Sequence, residues 1–442
     1  MSAATIAILV LTAIVLIILL TTVAKLNAFI SLFLVSLFLS VVALPGKDII
    51  TIMKDGFGST MGSIGFLIIF GAIIAIVLDR SGGAVSIATA ILKKTGTRYA
   101  APAMALTGFI TGFPIFCDSG FIIMSGLAKT FSSRSKVALS FLAITLATSL
   151  YSVHCLIPTH PGSLAAAGII GVNLGTLILW GFLFAIPATM GAYYFTKWRT
   201  RKDTIIAEEN DAKHDLAKDI KLPPVSIALL PVVLPLALIS LASFLKVINL
   251  STNVFFDFIA FIGQPVMALF IGALLSLLLL KDRKIKTINA VLETAIEKAG
   301  PILIITAAGG MFGLVIKETG VGTYFGEVLM ETGLGLAVPF LIAVILKTAQ
   351  GSSTVAVITA ASFVVPMLPM LGLDSENGKL LTMIALSAGS MMVSHPNDSY
   401  FWVVNRFSGI SINTSLKVYT PATFIMGGTV FICAYITSLF LL

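Results

Sequence analysis

The sequence predicts an all-α polytopic membrane protein made of two inverted repeats, each with about five transmembrane helices and a re-entrant hairpin, with broken helices at the midplane. Three observations carry this prediction: the composition, a weak internal repeat, and the opposite charge of equivalent loops. Of 442 residues, 57% are hydrophobic and 11% are charged, whereas a soluble domain is about 45–50% apolar and about 25% charged. Mean hydropathy is +1.05, and several apolar stretches reach the roughly 18 residues that a membrane helix requires. A water-soluble globule is excluded.

The formal charge of +8 comes from 28 Lys and Arg against 20 Asp and Glu. The basic residues are scattered through short loops rather than gathered on one face, so they read as cytoplasmic flanks and not as a nucleic-acid surface. Cys117, Cys155 and Cys433 all lie inside apolar segments, where cysteine behaves as a small hydrophobe. Neither a disulfide framework nor metal-ligand spacing is present, and no cofactor motif is found. The pairs Gly56-Phe-Gly58 and Gly309-Gly310 lack phosphate-loop spacing and suit close helix packing, and no hydrolase signature occurs.

Elements follow in order. Ala3 to Ala24 lacks the basic start of a signal peptide and is longer than its apolar core, so it reads as the first membrane helix. Further crossings are expected near 26–45, 60–78, 137–172 and 174–196, which closes a first repeat over residues 1–196. Residues 197–224 form a polar linker ending in Pro223-Pro224, and residues 225–442 form the second repeat. A shift of 238 residues superposes Gly62 on Gly300, Gly71 on Gly309, Gly82 on Gly320 and Pro158 on Pro396. A shift of 237 superposes Thr95-Gly96 on Thr332-Gly333 and Pro102 on Pro339.

Charge then orients the halves. Asp79, Arg80, Lys93, Lys94 and Arg98 correspond to Lys317, Glu318, Glu327 and Glu331, and Arg134 and Lys136 correspond to Asp374, Glu376 and Lys379. Basic loops face the cytoplasm, so equivalent loops lie on opposite sides and the repeats are inverted. Lys197, Arg199, Arg201 and Lys202 hold the linker inside, and an odd number of crossings then puts both termini outside. Residues 100–130 are apolar between two basic loops, so they enter and return, bending at Gly112-Phe113-Pro114. The partner hairpin spans about 336–371 with Gly351 to Thr354 at its tip, and the second broken helix spans about 380–408. Lys47 to Asp55 and Lys286 to Lys298 read as equivalent interfacial amphipathic segments. Arg406 reads as a snorkelling side chain.

Ionisable groups at membrane depth are costly, about 2.5–3.5 kcal/mol each on insertion scales, and so need a reason. Asp118 is the sole charge between Arg98 and Lys129; it either caps the return limb of the hairpin or serves as the proton carrier. His154 and His160 flank Pro158, where two prolines and Gly162 unwind a helix and free backbone groups. His395, Pro396, Asn397 and Asp398 form the mirror break. Gln350-Gly-Ser-Ser-Thr354 offers hydroxyls and amides suited to a carboxylate without a fixed counter-charge. The expected substrate-binding residues are Ser119, Thr159, His160, Gly351, Ser352, Ser353, Thr354, His395 and Asn397. The expected proton-coupling residues are Asp118, Asp398 and His154. The carboxylate would sit between Ser352 to Thr354 and the break near Pro158, with substrate hydroxyls on Asn397, Thr159 and Ser119. A sodium-coupled carboxylate symporter remains a second reading of the same site. A membrane-embedded hydrolase and a channel are the readings from other classes.

Four segments in order resemble the gluconate:proton symporter (GntP) family of bacterial permeases, within the wider ion transporter superfamily. They are Gly112-Phe-Pro-Ile-Phe-Cys-Asp-Ser-Gly-Phe121, Pro158-Thr-His-Pro-Gly162, Ala349-Gln-Gly-Ser-Ser-Thr-Val-Ala356 and Ser394-His-Pro-Asn-Asp-Ser-Tyr-Phe-Trp402. The resemblance covers essentially the whole chain. It implies multi-pass insertion in the bacterial inner membrane and uptake of gluconate or a related small hydroxylated monocarboxylate with protons. It also implies alternating access and a homodimer with a scaffold and a mobile transport unit. D-Serine, glycerate and other sugar acids are carried by relatives, and Cys117, Thr159 and Pro396 depart from the family pattern. Partners are thus the carboxylate, protons and membrane lipid.

Overall fold

The computed structural model describes residues 3–95, 99–113, 115–206, 222–247, 254–320, 334–396 and 398–442. Arg98, Pro114, Glu327, Glu331, Asn397 and linker residues 207–221, all singled out above, lie outside them. All regular structure among the described residues is helical. The first half comprises α1 (Ala3–Thr22), α2 (Ala28–Ala43), α3 (Ile49–Ser81), α4 (Gly83–Thr95), α5 (Ala100–Thr111), α6 (Cys117–Ser135), α7 (Leu139–Leu156), α8 (Pro161–Ile170) and α9 (Leu174–Arg199). The second comprises α10 (Val225–Val247), α11 (Val254–Ile262), α12 (Pro265–Leu277), α13 (Ile285–Glu318), α14 (Ala337–Gln350), α15 (Ser353–Val364), α16 (Glu376–Ser390), α17 (Ser399–Ser408) and α18 (Ile412–Leu441).

Local chemistry sets many of these boundaries. The side chains of Asn27, Asp48, Asn173, Ser352, Ser375 and Asp398 each accept a backbone N–H at the start of the helix they precede, which satisfies donors the helix leaves open. Gly351 ends α14 at φ +80°, a left-handed conformation that a side chain rarely adopts. Pro187, Pro231, Pro235 and Pro301 lie inside helices, as membrane helices tolerate when neighbours re-satisfy the backbone.

Among the described residues, five helices are long and apolar enough to cross a membrane: Leu139–Ile170, Leu174–Arg199, Val225–Ala242, Ile285–Glu318 and Ile412–Leu441. Two bent pairs, Ile49–Ser63 with Gly65–Ser81 at 44° and Phe256–Ile262 with Pro265–Leu277 at 69°, add up to two more. The segments at Lys47 to Asp55 and Lys286 to Lys298 run, from Ile49 and Ile285 onward, into the starts of α3 and α13, and these two long helices pack side by side.

The core sits around α7 and α16, whose side chains are buried almost throughout. The hairpin limb α5 and helix α9 pack on α7, as α14 and α18 pack on α16. The halves then interlock. Helix α8, past the first break, packs on α15 of the second hairpin, and α17, past the second break, packs on α6 of the first hairpin. Each half's broken helix is therefore seated against the other half's hairpin, and this exchange brings four chain breaks to one place.

Candidate functional site

At that place lies a cavity of about 140 Å³. Its wall combines Asp118 at the start of α6, Tyr151 and His154 on α7, Ser352, Ser353 and Thr354 at the start of α15, and Asp398 and Ser399 at the start of α17. Most of these positions lie at helix starts, where backbone N–H groups have no intrahelical partner, while Tyr151 and His154 lie near the C-terminal end of α7. Two helix N-termini meet directly. A Cβ on Gly162 would lie 3.0 Å from Thr354 Cα, so glycine lets α8 approach α15 this closely without crowding.

Asp118 is the second residue of α6, and the cap position, Phe116, offers no side-chain hydrogen bond. The Oδ1 atom of Asp118 is buried with no hydrogen-bond partner among the described residues. Of the two sequence readings, helix capping accounts for none of that oxygen's burial, which leaves the carboxyl aimed at the cavity.

Asp398 is held in the opposite way. Its Oδ2 accepts from Lys347 Nζ at 2.7 Å and from the Ser394 hydroxyl, and its Oδ1 accepts from the Tyr400 N–H at 3.0 Å. Lys347 is wholly buried. Its Nζ also donates to the Gly351 carbonyl at 2.6 Å and sits 5.8 Å over the Tyr151 ring centroid. An ammonium thus stands behind the hairpin tip, with its charge met by Asp398. Sequence reasoning missed Lys347, although the test that found Asp118 applies equally, since Lys347 is the sole ionisable residue between Glu331 and Asp374. A buried ion pair of this kind is paired and hydrogen-bonded at both ends, as burial requires.

The remaining expected residues separate into cavity and support. His154 lines the cavity, with Nδ1 buried and unpartnered among the described residues. His160 does not: its Nε2 lies 2.6 Å from the Gly112 carbonyl, so that nitrogen carries the hydrogen and the ring ties the first break to the first hairpin tip. The two imidazole rings are 4.5 Å apart. His395 is likewise committed to backbone, its Nε2 donating to the Thr348 carbonyl at 3.1 Å. Ser119 and Thr159 are not among the residues that line this cavity; the Thr159 carbonyl lies 3.6 Å from where a Gly71 Cβ would stand, and its Oγ1 is buried without a hydrogen-bond partner among the described residues. Gly351 contributes its carbonyl to Lys347 rather than to the cavity. Asn397 is outside the described residues.

A larger hollow of about 560 Å³ between α5 and α9, lined by Phe109, Phe182, Met190 and Tyr194 among others, holds no carboxylate. No group of three or more His, Cys, Asp or Glu among the described residues is placed to hold a metal ion. The small cavity therefore concentrates the polar chemistry: a free carboxyl, a neutralised carboxylate, and the hydroxyls and N–H groups of the α15 N-terminus, where anions are favoured.

Comparison with known proteins agrees with this architecture. The family model described as "GntP family permease" matches residues 5–440. The inner membrane permease YgbN of Escherichia coli is 29% identical, over 98% of this chain and 99% of that protein. A gluconate permease of Pseudomonas aeruginosa is 32% identical, over 92% of each chain. The D-serine transporter DsdX of Escherichia coli is 30% identical, over 93% of each chain. Together with the apolar helices, these matches place the protein in the bacterial inner membrane as a multi-pass chain. The chain belongs to the GntP family of permeases, a transporter family rather than an enzyme family.

Proposed function

We propose that the protein is a secondary active transporter that imports gluconate or a related small hydroxylated monocarboxylate together with protons, by alternating access between two inverted repeats. The observation that carries the reading is the convergence, on one cavity, of the α15 N-terminus with a buried carboxyl that has no partner at Asp118 Oδ1. The relatives named for gluconate and for D-serine share one substrate pattern, a carboxylate beside a carbon that carries a polar group, with a hydroxyl further along.

The substrate carboxylate is assigned to the N–H groups and hydroxyls of Ser352, Ser353 and Thr354, which favour an anion at a helix start. Substrate hydroxyls are assigned to Ser399 on the facing wall, and Asn397 keeps this role on sequence grounds. Asp118 carries the proton: its Oδ1 is buried without a partner among the described residues, an ionised carboxylate so placed is costly, and a proton removes the charge. His160 and His395 position the breaks rather than touch substrate. The inward placement of the linker and the homodimer belong to the same proposal.

Uptake of labelled gluconate into proteoliposomes under an imposed inward proton gradient tests the reading, with D-serine, glycerate and other sugar acids as unlabelled competitors. Accumulation that collapses with a protonophore is expected. Uptake that follows sodium at fixed pH would replace protons by sodium, and transport of a competitor without gluconate would move the specificity within the family.

A further inference from the structure

We infer that the Lys347–Asp398 ion pair confines the site to one exchangeable proton, so that a monocarboxylate crosses with a single proton and no net charge. The inference rests on the proposed proton-coupled carboxylate transport and concerns its stoichiometry and the residues that set it.

Two carboxyl groups line the cavity, Asp118 and Asp398, and taken alone they would admit two protons. Their surroundings separate them. Asp398 accepts hydrogen bonds at both oxygens, from Lys347 Nζ and Ser394 at one and from the Tyr400 N–H at the other. A proton there would set a donor against donors and leave the Lys347 ammonium, wholly buried, with the Gly351 carbonyl as its remaining oxygen partner. Asp118 Oδ1 has no partner among the described residues to lose.

The groups facing Asp118 are few. Helix α7 presents Tyr151 and His154, and the start of α17 presents Asp398 and Tyr400. Lys347 of α14 lies behind Asp398. Lys298 on α13 also acts on Asp118 but is exposed to solvent, which screens it. His154 is the third group that could take a proton, but a proton on its buried Nδ1 would add a charge and a donor with no acceptor among the described residues, which burial disfavours; His160, 4.5 Å away, is bonded to Gly112.

Charge counting then couples the two solutes. With Lys347 and Asp398 cancelling, the empty site carries one negative charge, on Asp118. With Asp118 protonated and a monocarboxylate bound, it again carries one. Substrate without the proton would double the buried negative charge, and the cost of charge at membrane depth disfavours that state. Both permitted states present the same charge to the membrane potential, so a full cycle moves none.

The experiment uses the wild-type chain in proteoliposomes, with labelled gluconate and other labelled sugar acids as probes. With the potential clamped at zero by potassium and valinomycin, an inward pH gradient drives accumulation; an imposed potassium diffusion potential at equal pH drives none. Accumulation driven by the potential overturns the one-proton inference and leaves symport standing, whereas failure of every probe to respond to the pH gradient overturns both. Asp398→Asn, which frees the Lys347 charge to meet the substrate, keeps uptake at alkaline pH about tenfold above the wild type. Lys347→Met loses uptake near neutrality, and the double variant Lys347→Met with Asp398→Asn regains the wild-type pH profile. An Asp398→Asn protein with an unshifted profile, or a double variant that folds but stays inactive, overturns the role of the pair.

Discussion

Gly162, in the first turn of α8, faces Thr354, in the first turn of α15, closely enough that a methyl group would be crowded: a Cβ at 162 would stand 3.0 Å from the Cα, Cγ2 and Oγ1 of Thr354. The first broken helix and the second hairpin thus touch at their N-termini, beside the cavity that Thr354 lines. Gly162→Ala is expected to push these two starts apart, lowering stability by about 1–3 kcal/mol, as overpacking does, and cutting uptake. Adding Thr354→Ser removes the crowded Cγ2 and should recover part of the rate; thermal unfolding in detergent alongside uptake reads both effects.

Asp118→Asn keeps the shape of the side chain and removes its proton exchange. Accumulation driven by a pH gradient is expected to vanish while counterflow of labelled against unlabelled substrate persists. Unchanged accumulation would take the proton-carrying role from Asp118.

Truncating one member of a buried ion pair leaves the other uncompensated. Lys347→Ala should therefore lower stability by about 3–5 kcal/mol, seen as a drop in the detergent melting temperature. Lys347→Met with Asp398→Asn, which leaves no unpaired charge, should recover most of the loss. Equal destabilisation by single and double variants would show that packing, not charge, dominates at this position.

His160 holds the Gly112 carbonyl through Nε2 at 2.6 Å. His160→Ala leaves a buried acceptor unpaired, a cost of about 1–3 kcal/mol, and loosens the first hairpin tip. Uptake should slow while its pH profile and the ranking of competitors stay as in the wild type. A shifted pH profile would instead place His160 in the proton path.

The sequence made the breaks legible because proline and glycine act locally. Pro158, Pro161 and Gly162 stop α7 and restart the chain as α8, and Gly351 with Ser352 ends α14 and caps α15. Asp118 stood out because an isolated charge in an apolar run is visible without knowing the fold. Lys347 carried the same signal, yet its neighbours Thr348 and Gln350 drew attention to the hydroxyls and amides of the tip, and its partner lies 51 positions away in sequence. Ser119 and Thr159 adjoin Asp118 and His160 in sequence yet are not among the residues that line the cavity, because adjacent residues on a helix or turn point in different directions.

Composition, hydropathy and helix punctuation by themselves determined that this chain is an all-helical membrane protein with breaks at four places, since burial in lipid and local backbone chemistry depend on each residue and its near neighbours. Only the tertiary structure decided which groups share a cavity. The packing of α8 on α15 and of α17 on α6 joins residues from opposite halves in one cavity, while within the second half Asp398 meets Lys347, 51 positions away; Asp118 Oδ1 is left without a partner among the described residues. Charge compensation acts across space, over distances of a few ångströms that separation along the chain does not encode.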